Sequence, residues 1–190
     1  MTEYVLTVNG RDLAPLLSEC SGPGFIDWRP NWDDLEHLTV GMLLRPGNHG
    51  GASLEEARKY ARGLRERIWM QHEKARSAAA EDPHRCPLDF NKLVPIPDQL
   101  CYGGKGKAAE DWCLENWGCV DYPRHVGYKL IHKRQYKRRG MIQVAVFTFT
   151  VDLCPTGIWR EIMRRWPEVD ALCQRVKVSP LTQEIKRLAA

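Results

Sequence analysis

Cysteine carries more inherent chemistry than any other side chain in this sequence. There are seven: Cys20, Cys86, Cys101, Cys113, Cys119, Cys154 and Cys173. A thiolate is a nucleophile and a soft metal ligand. Thiol-built zinc centres show close pairs, and no two of these cysteines stand in a C-x-x-C pair. His84 lies two residues before Cys86, and His125 and His132 follow Cys119, but that spacing is too loose for zinc. Nothing singles out one thiol beside a base, as covalent catalysis requires. We assign no metal, no cofactor and no catalytic residue. An odd count without a secretion signal fits reduced thiols in a cytosol, most of them acting as small buried hydrophobes.

Phosphate chemistry is the next possibility. Gly103-Gly104-Lys105-Gly106-Lys107 is glycine-rich and basic, but it lacks the spacing and trailing Ser/Thr of a P-loop. It reads as a flexible loop. A G-x-S-x-G elbow and a dinucleotide fingerprint are also absent, so the sequence points away from an enzyme.

Charge is the strongest surface signal. From Tyr122 to Val151 there is no acidic residue, and the stretch holds Arg124, Lys129, Lys133, Arg134, Lys137, Arg138 and Arg139. The whole chain is only +4, so the remainder is acidic on balance. Tyr128, His132 and Tyr136 are interleaved with the basic residues. Basic groups attract phosphate or carboxylate, and rings can stack on bases. Three readings stand side by side: a charged edge hairpin that resists aggregation, a surface for a protein partner, and a nucleic-acid contact. The aromatic box of an RRM is absent, and the acidic remainder argues against an extended nucleic-acid groove. Among seven tryptophans, Trp28 and Trp32 sit in the polar stretch Asp27-Trp28-Arg29-Pro30-Asn31-Trp32 and are expected to be exposed interface anchors. The expected partner contacts are therefore Lys129, Lys133, Arg134, Lys137, Arg138, Arg139, Trp28 and Trp32.

The elements that position these residues follow from periodicity and punctuation. Tyr4 to Val8 alternates as a strand. Asp12 caps a short helix through Leu13, Leu16 and Leu17, which Ser21-Gly22-Pro23-Gly24 stops. Leu38 to Leu44 is apolar enough for a strand. Ser53 with Glu55 and Glu56 opens a long helix that runs to about Ala80. Leu54, Ala57, Ala61, Leu64, Ile68 and Ala75 give it an apolar stripe, while Arg58, Lys59, Arg62, Arg65 and Arg67 mark a solvated face, with a partner-binding face as the alternative. Residues 88–97 read as an extended segment. Ala108 to Trp117 reads as a helix closed by Gly118, with Trp117 packed on the sheet.

Val126 to Gln135 and Met141 to Val151 form an antiparallel hairpin. Its second strand should be central and buried on both faces, with Ile142, Val144 and Val146 on one side and Phe147, Phe149 and Val151 on the other. Ile158, Trp159, Ile162, Met163 and Trp166 make one helical stripe, ended by Pro167. Cys173 to Val178 alternates as a last strand. Ser179-Pro180 starts a C-terminal helix with Leu181, Ile185 and Leu188.

A chain of 190 residues with 43% hydrophobic content builds one domain with a sizeable core, which excludes a collagen, a rod or a disordered tail. No apolar run approaches the roughly 20 residues of a bilayer span. The element order predicts an α+β fold: a ferredoxin-like antiparallel sheet with helices on one face and a helical insertion at about 21–85.

Four segments also fit a known pattern in order. They are Val5-Leu6-Thr7-Val8-Asn9-Gly10, Leu88-Asp89-Phe90-Asn91-Lys92-Leu93-Val94-Pro95-Ile96-Pro97, Trp112-Cys113-Leu114-Glu115-Asn116-Trp117-Gly118, and Phe147-Thr148-Phe149 followed by Cys154-Pro155 and the helix to Trp166-Pro167. In these the chain resembles the YubB-type ferredoxin-like family of small plasmid and phage proteins, over roughly 4–20 and 86–178. Cys119-Val120-Asp121 stands where the family usually has T-K-W, and Val151 to Thr156 where it has T-A-W-S-P-P. The resemblance implies a ferredoxin-like fold and a mobile-element origin, without an activity. The function expected is a non-enzymatic binding protein in the bacterial cytoplasm. It would act stoichiometrically on a host protein or ribonucleoprotein complex, as an anti-CRISPR does. The alternative is a nucleic-acid-binding accessory protein using residues 124–139.

Overall fold

A computed structural model of the chain describes residues 1–45, 53–135 and 140–176. β1 (Thr2–Gly10) and α1 (Ala14–Cys20) are followed by the helices α2 (Trp32–Leu43) and α3 (Leu54–Glu81). Then come α4 (Phe90–Leu93), α5 (Asp98–Cys101), α6 (Lys107–Trp117), β2 (Arg124–Gln135), β3 (Gly140–Val151), α7 (Thr156–Arg165) and β4 (Asp170–Arg175). The strands make one antiparallel sheet in the order β2-β3-β1-β4. The architecture is α+β.

Alternation along the central strands determines the core. Tyr4, Leu6 and Val8 of β1 are buried and lie opposite Phe149, Phe147 and Ala145 of β3. Helices α1, α4, α6 and α7 pack on this face. Leu16 of α1, Phe90 and Leu93 of α4, Trp117 of α6 and Ile158 and Ile162 of α7 are all buried in the same cluster. Each such side chain contributes roughly 1.5–3 kcal/mol by leaving water. The α7 stripe works as its spacing predicts: Trp166 closes it, and the half-buried Trp159 donates its indole N–H to the Ala171 carbonyl at 2.9 Å.

Three expectations need correction. Residues 38–44 are not a strand. Residues 38–43 belong to α2 and Leu44 is its C-cap; the Asn31 side chain caps the N-terminus, with Asp33 and Asp34 in the first turn. A seven-residue apolar run does not distinguish strand from helix, and the cap seven residues upstream decides it. Residues 88–97 are not simply extended. The Asp89 side chain accepts from the Lys92 backbone N–H and nucleates α4, and α5 follows at once.

The third correction concerns β3. It is central, but only its odd face is fully buried: Ala145, Phe147, Phe149 and Val151 are, whereas on the other face Val144 is buried and Ile142 and Val146 are half-exposed. The C-terminal helix expected from Ser179, with Leu181, Ile185 and Leu188, lies outside the described residues, as does the stretch of the last expected strand beyond Val176.

α3 opens with a complete capping box. The Glu56 N–H donates to the Ser53 hydroxyl, and the Ser53 N–H donates to the Glu56 carboxylate. Its stripe is narrower than the spacing predicts. Ala57 and Ala61 are buried, Leu64, Ile68 and Ala75 are half-buried, and Leu54 is exposed. α2 is the helix on which α3 packs.

Candidate binding surface

The face on which Lys129 and Lys133 lie is determined by one irregularity. Arg124 pairs with Thr150 and Gly127 with Thr148, so β2 carries one extra residue there. His125 sits in the bulge at φ +52°, in the left-handed region. The extra residue inverts the parity of everything after it. Tyr128 falls opposite Phe147, with ring centroids 5.4 Å apart, on the helix-packed side. Lys129, Ile131 and Lys133 fall opposite Val146, Val144 and Ile142, on the other face. Among the described residues Tyr128 and His132 therefore separate from Lys129 and Lys133 onto opposite faces.

That other face is open. Across the sheet it presents Val146 and Thr7 in register, then Leu172 at the far edge. Val5, Thr7, Ile131, Ile142 and Val146 are half-exposed, and Leu172 is 50% exposed. Lys129 and Lys133 are exposed along one rim, and neither makes an ion pair among the described residues. β1 ends opposite Gln143, so Lys133 at Ile142 lies on the part of the β2–β3 ribbon that runs past β1. Arg134 pairs with Met141 on the same overhang. Lys137, Arg138 and Arg139, the remaining expected contacts, lie outside the described residues.

The two tryptophans expected as exposed anchors are both half-buried. Trp28 is half-buried against the core. Trp32 is half-buried as the first residue of α2, and its ring meets the His72 ring of α3 edge-on at 6.3 Å. Phe25 packs on the other side of His72 at 5.4 Å, and His72 Nε2 lies 3.3 Å from Asp27 Oδ1. These rings join the two helices to the body. Their polar sequence neighbours are caps and ion-pair partners rather than signs of exposure. The tryptophan that is half in solvent is Trp69, 50% exposed, in a shallow concavity with Trp32, Arg65 and Glu66. In the sequence it stands between Ile68 and Met70, and no motif marks it.

The basic face of α3 is partly committed. Arg62 and Arg65 reach Glu36 of α2 at 3.3 and 3.0 Å, and Arg65 also reaches Asp33 at 3.6 Å. Such exposed pairs contribute well under 1 kcal/mol each and chiefly orient the helices.

The motif boxes meet in the core. The Trp117 indole N–H donates to the Val94 carbonyl at 2.8 Å, and Phe90 meets the Trp117 ring edge-on at 5.8 Å. Asp152, at the end of β3, accepts from the Val120 and Asp121 N–H groups, both at 3.0 Å. Burial works to raise its carboxyl, but these backbone donors outweigh burial and hold it below the ordinary range. The Gly103–Lys107 loop is tied down, since Lys105 Nζ lies 3.0 Å from Asp121.

Five thiols, Cys20, Cys86, Cys101, Cys113 and Cys119, are buried, and Cys154 and Cys173 are half-exposed. Burial pushes the Cys20 thiol up to about 12 and the Cys113 thiol up to about 11, which disfavours a reactive thiolate at either. Among the described residues no three His, Cys, Asp or Glu side chains cluster as metal ligands, and no helix is long and apolar enough to cross a membrane. No family model, curated protein or solved structure matches the chain.

Proposed function

We propose that this protein is a non-enzymatic binding protein that seats an acidic protein surface on its open sheet face. The observation that carries this reading is the parity of β2. Lys129 and Lys133 share a face with Val146, Val144 and Ile142, while Tyr128 is turned to the opposite face against Phe147. A nucleobase platform needs rings beside its cations. An apolar strip of β-branched residues with a cationic rim instead suits a protein partner, with burial giving affinity and lysines giving orientation and encounter rate.

The finer readings rest on this one. The strand order, with helices between β1 and β2 and α7 between β3 and β4, supports a split β-α-β, ferredoxin-like arrangement. The resemblance to the YubB-type family supports a plasmid or phage origin. In that setting the partner is a host complex in the bacterial cytoplasm, and stoichiometric counter-defence of the anti-CRISPR kind is the role. Binding of single-stranded nucleic acid is the second reading, favoured by Lys129 and Lys133, which are exposed and make no ion pair among the described residues.

The test uses purified host defence complexes and labelled single-stranded oligonucleotides against the wild type and two variants. Lys129→Glu with Lys133→Glu should weaken complex binding at least tenfold, and Val146→Lys, at the centre of the strip, should do the same. Complex binding untouched by either variant rejects the open face. A mobility shift of oligonucleotide at low salt, abolished by the double charge reversal, selects the second reading.

A further inference from the structure

We propose that Cys154 and Cys173 form an oxidisable pair that closes into a disulfide and staples the β3–α7–β4 crossover shut. Their sulfurs are 4.0 Å apart, with the Cys154 thiol directed at Cys173. They are also the two half-exposed cysteines of the seven, so solvent oxidants reach the thiols that are already in contact. Cys154 lies in the connection between β3 and α7, and Cys173 lies on the edge strand β4 opposite Leu6. The pair thus stands at the two ends of the crossover that carries α7.

A disulfide needs its sulfurs at about 2.05 Å, so closure asks for roughly 2 Å of approach. Leu153-Cys154-Pro155 is a connection rather than a ladder segment, and it can supply that movement while Cys173 stays on its strand. Burial, and after it the neighbouring Cys154 sulfur, push the Cys173 thiol above its ordinary range. With hydrogen peroxide as oxidant, the Cys154 thiolate attacks one peroxide oxygen, the O–O bond breaks, and Cys154 becomes a sulfenic acid as hydroxide leaves. The Cys173 sulfur then attacks the sulfenic sulfur, the S–O bond breaks, and the departing hydroxide leaves as water with the Cys173 proton. Two thiols and one peroxide give one disulfide and two waters. A dithiol reductant reverses the change by exchange.

The bridge confines the unfolded chain by closing a loop around α7, and it anchors β4, whose Leu172 forms the far rim of the open sheet face. The proposal does not depend on what binds that face.

The experiment treats the native full-length protein with hydrogen peroxide, alkylates the remaining thiols, and maps peptides without reduction. We expect five alkylatable thiols after unfolding, a Cys154–Cys173 linked peptide, and a melting midpoint raised on the order of 5–10 °C that dithiothreitol reverses. Cys154→Ser and Cys173→Ser should each melt like the reduced wild type and show no rise with peroxide. Seven alkylatable thiols after treatment, a bridge through Cys119, or conversion of Cys154 to sulfinic acid without a bridge would each overturn it.

Discussion

The indole N–H of Trp117, the last residue of α6, donates to the main-chain carbonyl of Val94 at 2.8 Å. Twenty-three positions separate the two. The bond ties the N-W-G box to the L-V-P-x-P box, and Phe90 and Tyr122 flank the same indole at 5.8 and 6.1 Å. Trp117→Phe keeps an aromatic ring but leaves the Val94 carbonyl without its buried donor. The expected cost is about 1–3 kcal/mol in a urea melt. A variant as stable as the wild type would assign the box some other role.

Glycine positions offer a contrast of sign. Gly118 holds φ +85°, and an added Cβ would lie 2.5 Å from Thr156 Oγ1. At Gly157 an added Cβ would meet the Asn116 carbonyl oxygen, where α6 ends against the start of α7. Gly118→Ala should cost about 1–3 kcal/mol, and Gly157→Ala should leave little folded protein. Gly63 lies inside α3 with nothing within 4 Å of an added Cβ. Gly63→Ala should therefore stabilise by about 0.5–1 kcal/mol. Chemical denaturation of the three variants checks the order.

Acid should weaken the α7 end of the molecule. Hydrogen bonds from Arg164, then from Arg165, outweigh burial and bring the Glu161 carboxyl down to about 2. A carboxyl depressed on folding adds stability above its unfolded value of about 4.5, and that share disappears as pH falls towards 2. Glu161→Gln lacks the titration. Its stability should vary less than that of the wild type between pH 5 and pH 2, as followed by thermal melts. Equal slopes would mean that the ion pairs are too solvated to count.

The bulge at His125 should be the most sensitive point of the hairpin. His125→Val puts a β-branched residue at φ +52° and should cost about 1–2 kcal/mol, whereas His125→Gly should be close to neutral. Deleting His125 removes the extra residue and turns Tyr128 outward and Lys129 inward. Most of the stability should then be lost. A deletion variant that melts like the wild type would show that the parity of β2 is set elsewhere.

Much of the architecture was legible because its causes are local. The β1 alternation, the Ser53 cap, the Gly118 stop and the α7 stripe each depend on residues within a turn or two of one another. The segment 38–44 was misread because its deciding feature, the Asn31 cap, lies outside the apolar run. Trp28 and Trp32 are less exposed than their sequence neighbours suggest for a different reason. A tryptophan among polar neighbours is buried or exposed according to what folds back over it, and here the core and the His72 ring do so.

Composition, element type and the concentration of positive charge between Tyr122 and Val151 belong to the sequence alone, since each is a property of neighbouring residues. The surface on which that charge appears is not such a property. One bulge residue reverses the side of the sheet that Lys129 and Lys133 occupy, and strand pairing with distant residues is what stabilises it. The approach of Cys154 to Cys173 is of the same kind. The return of β4 alongside β1 brings two thiols into contact that the linear chain holds 19 residues apart. Short-range preferences act within a few residues, whereas register and proximity come from the burial of the core as a whole.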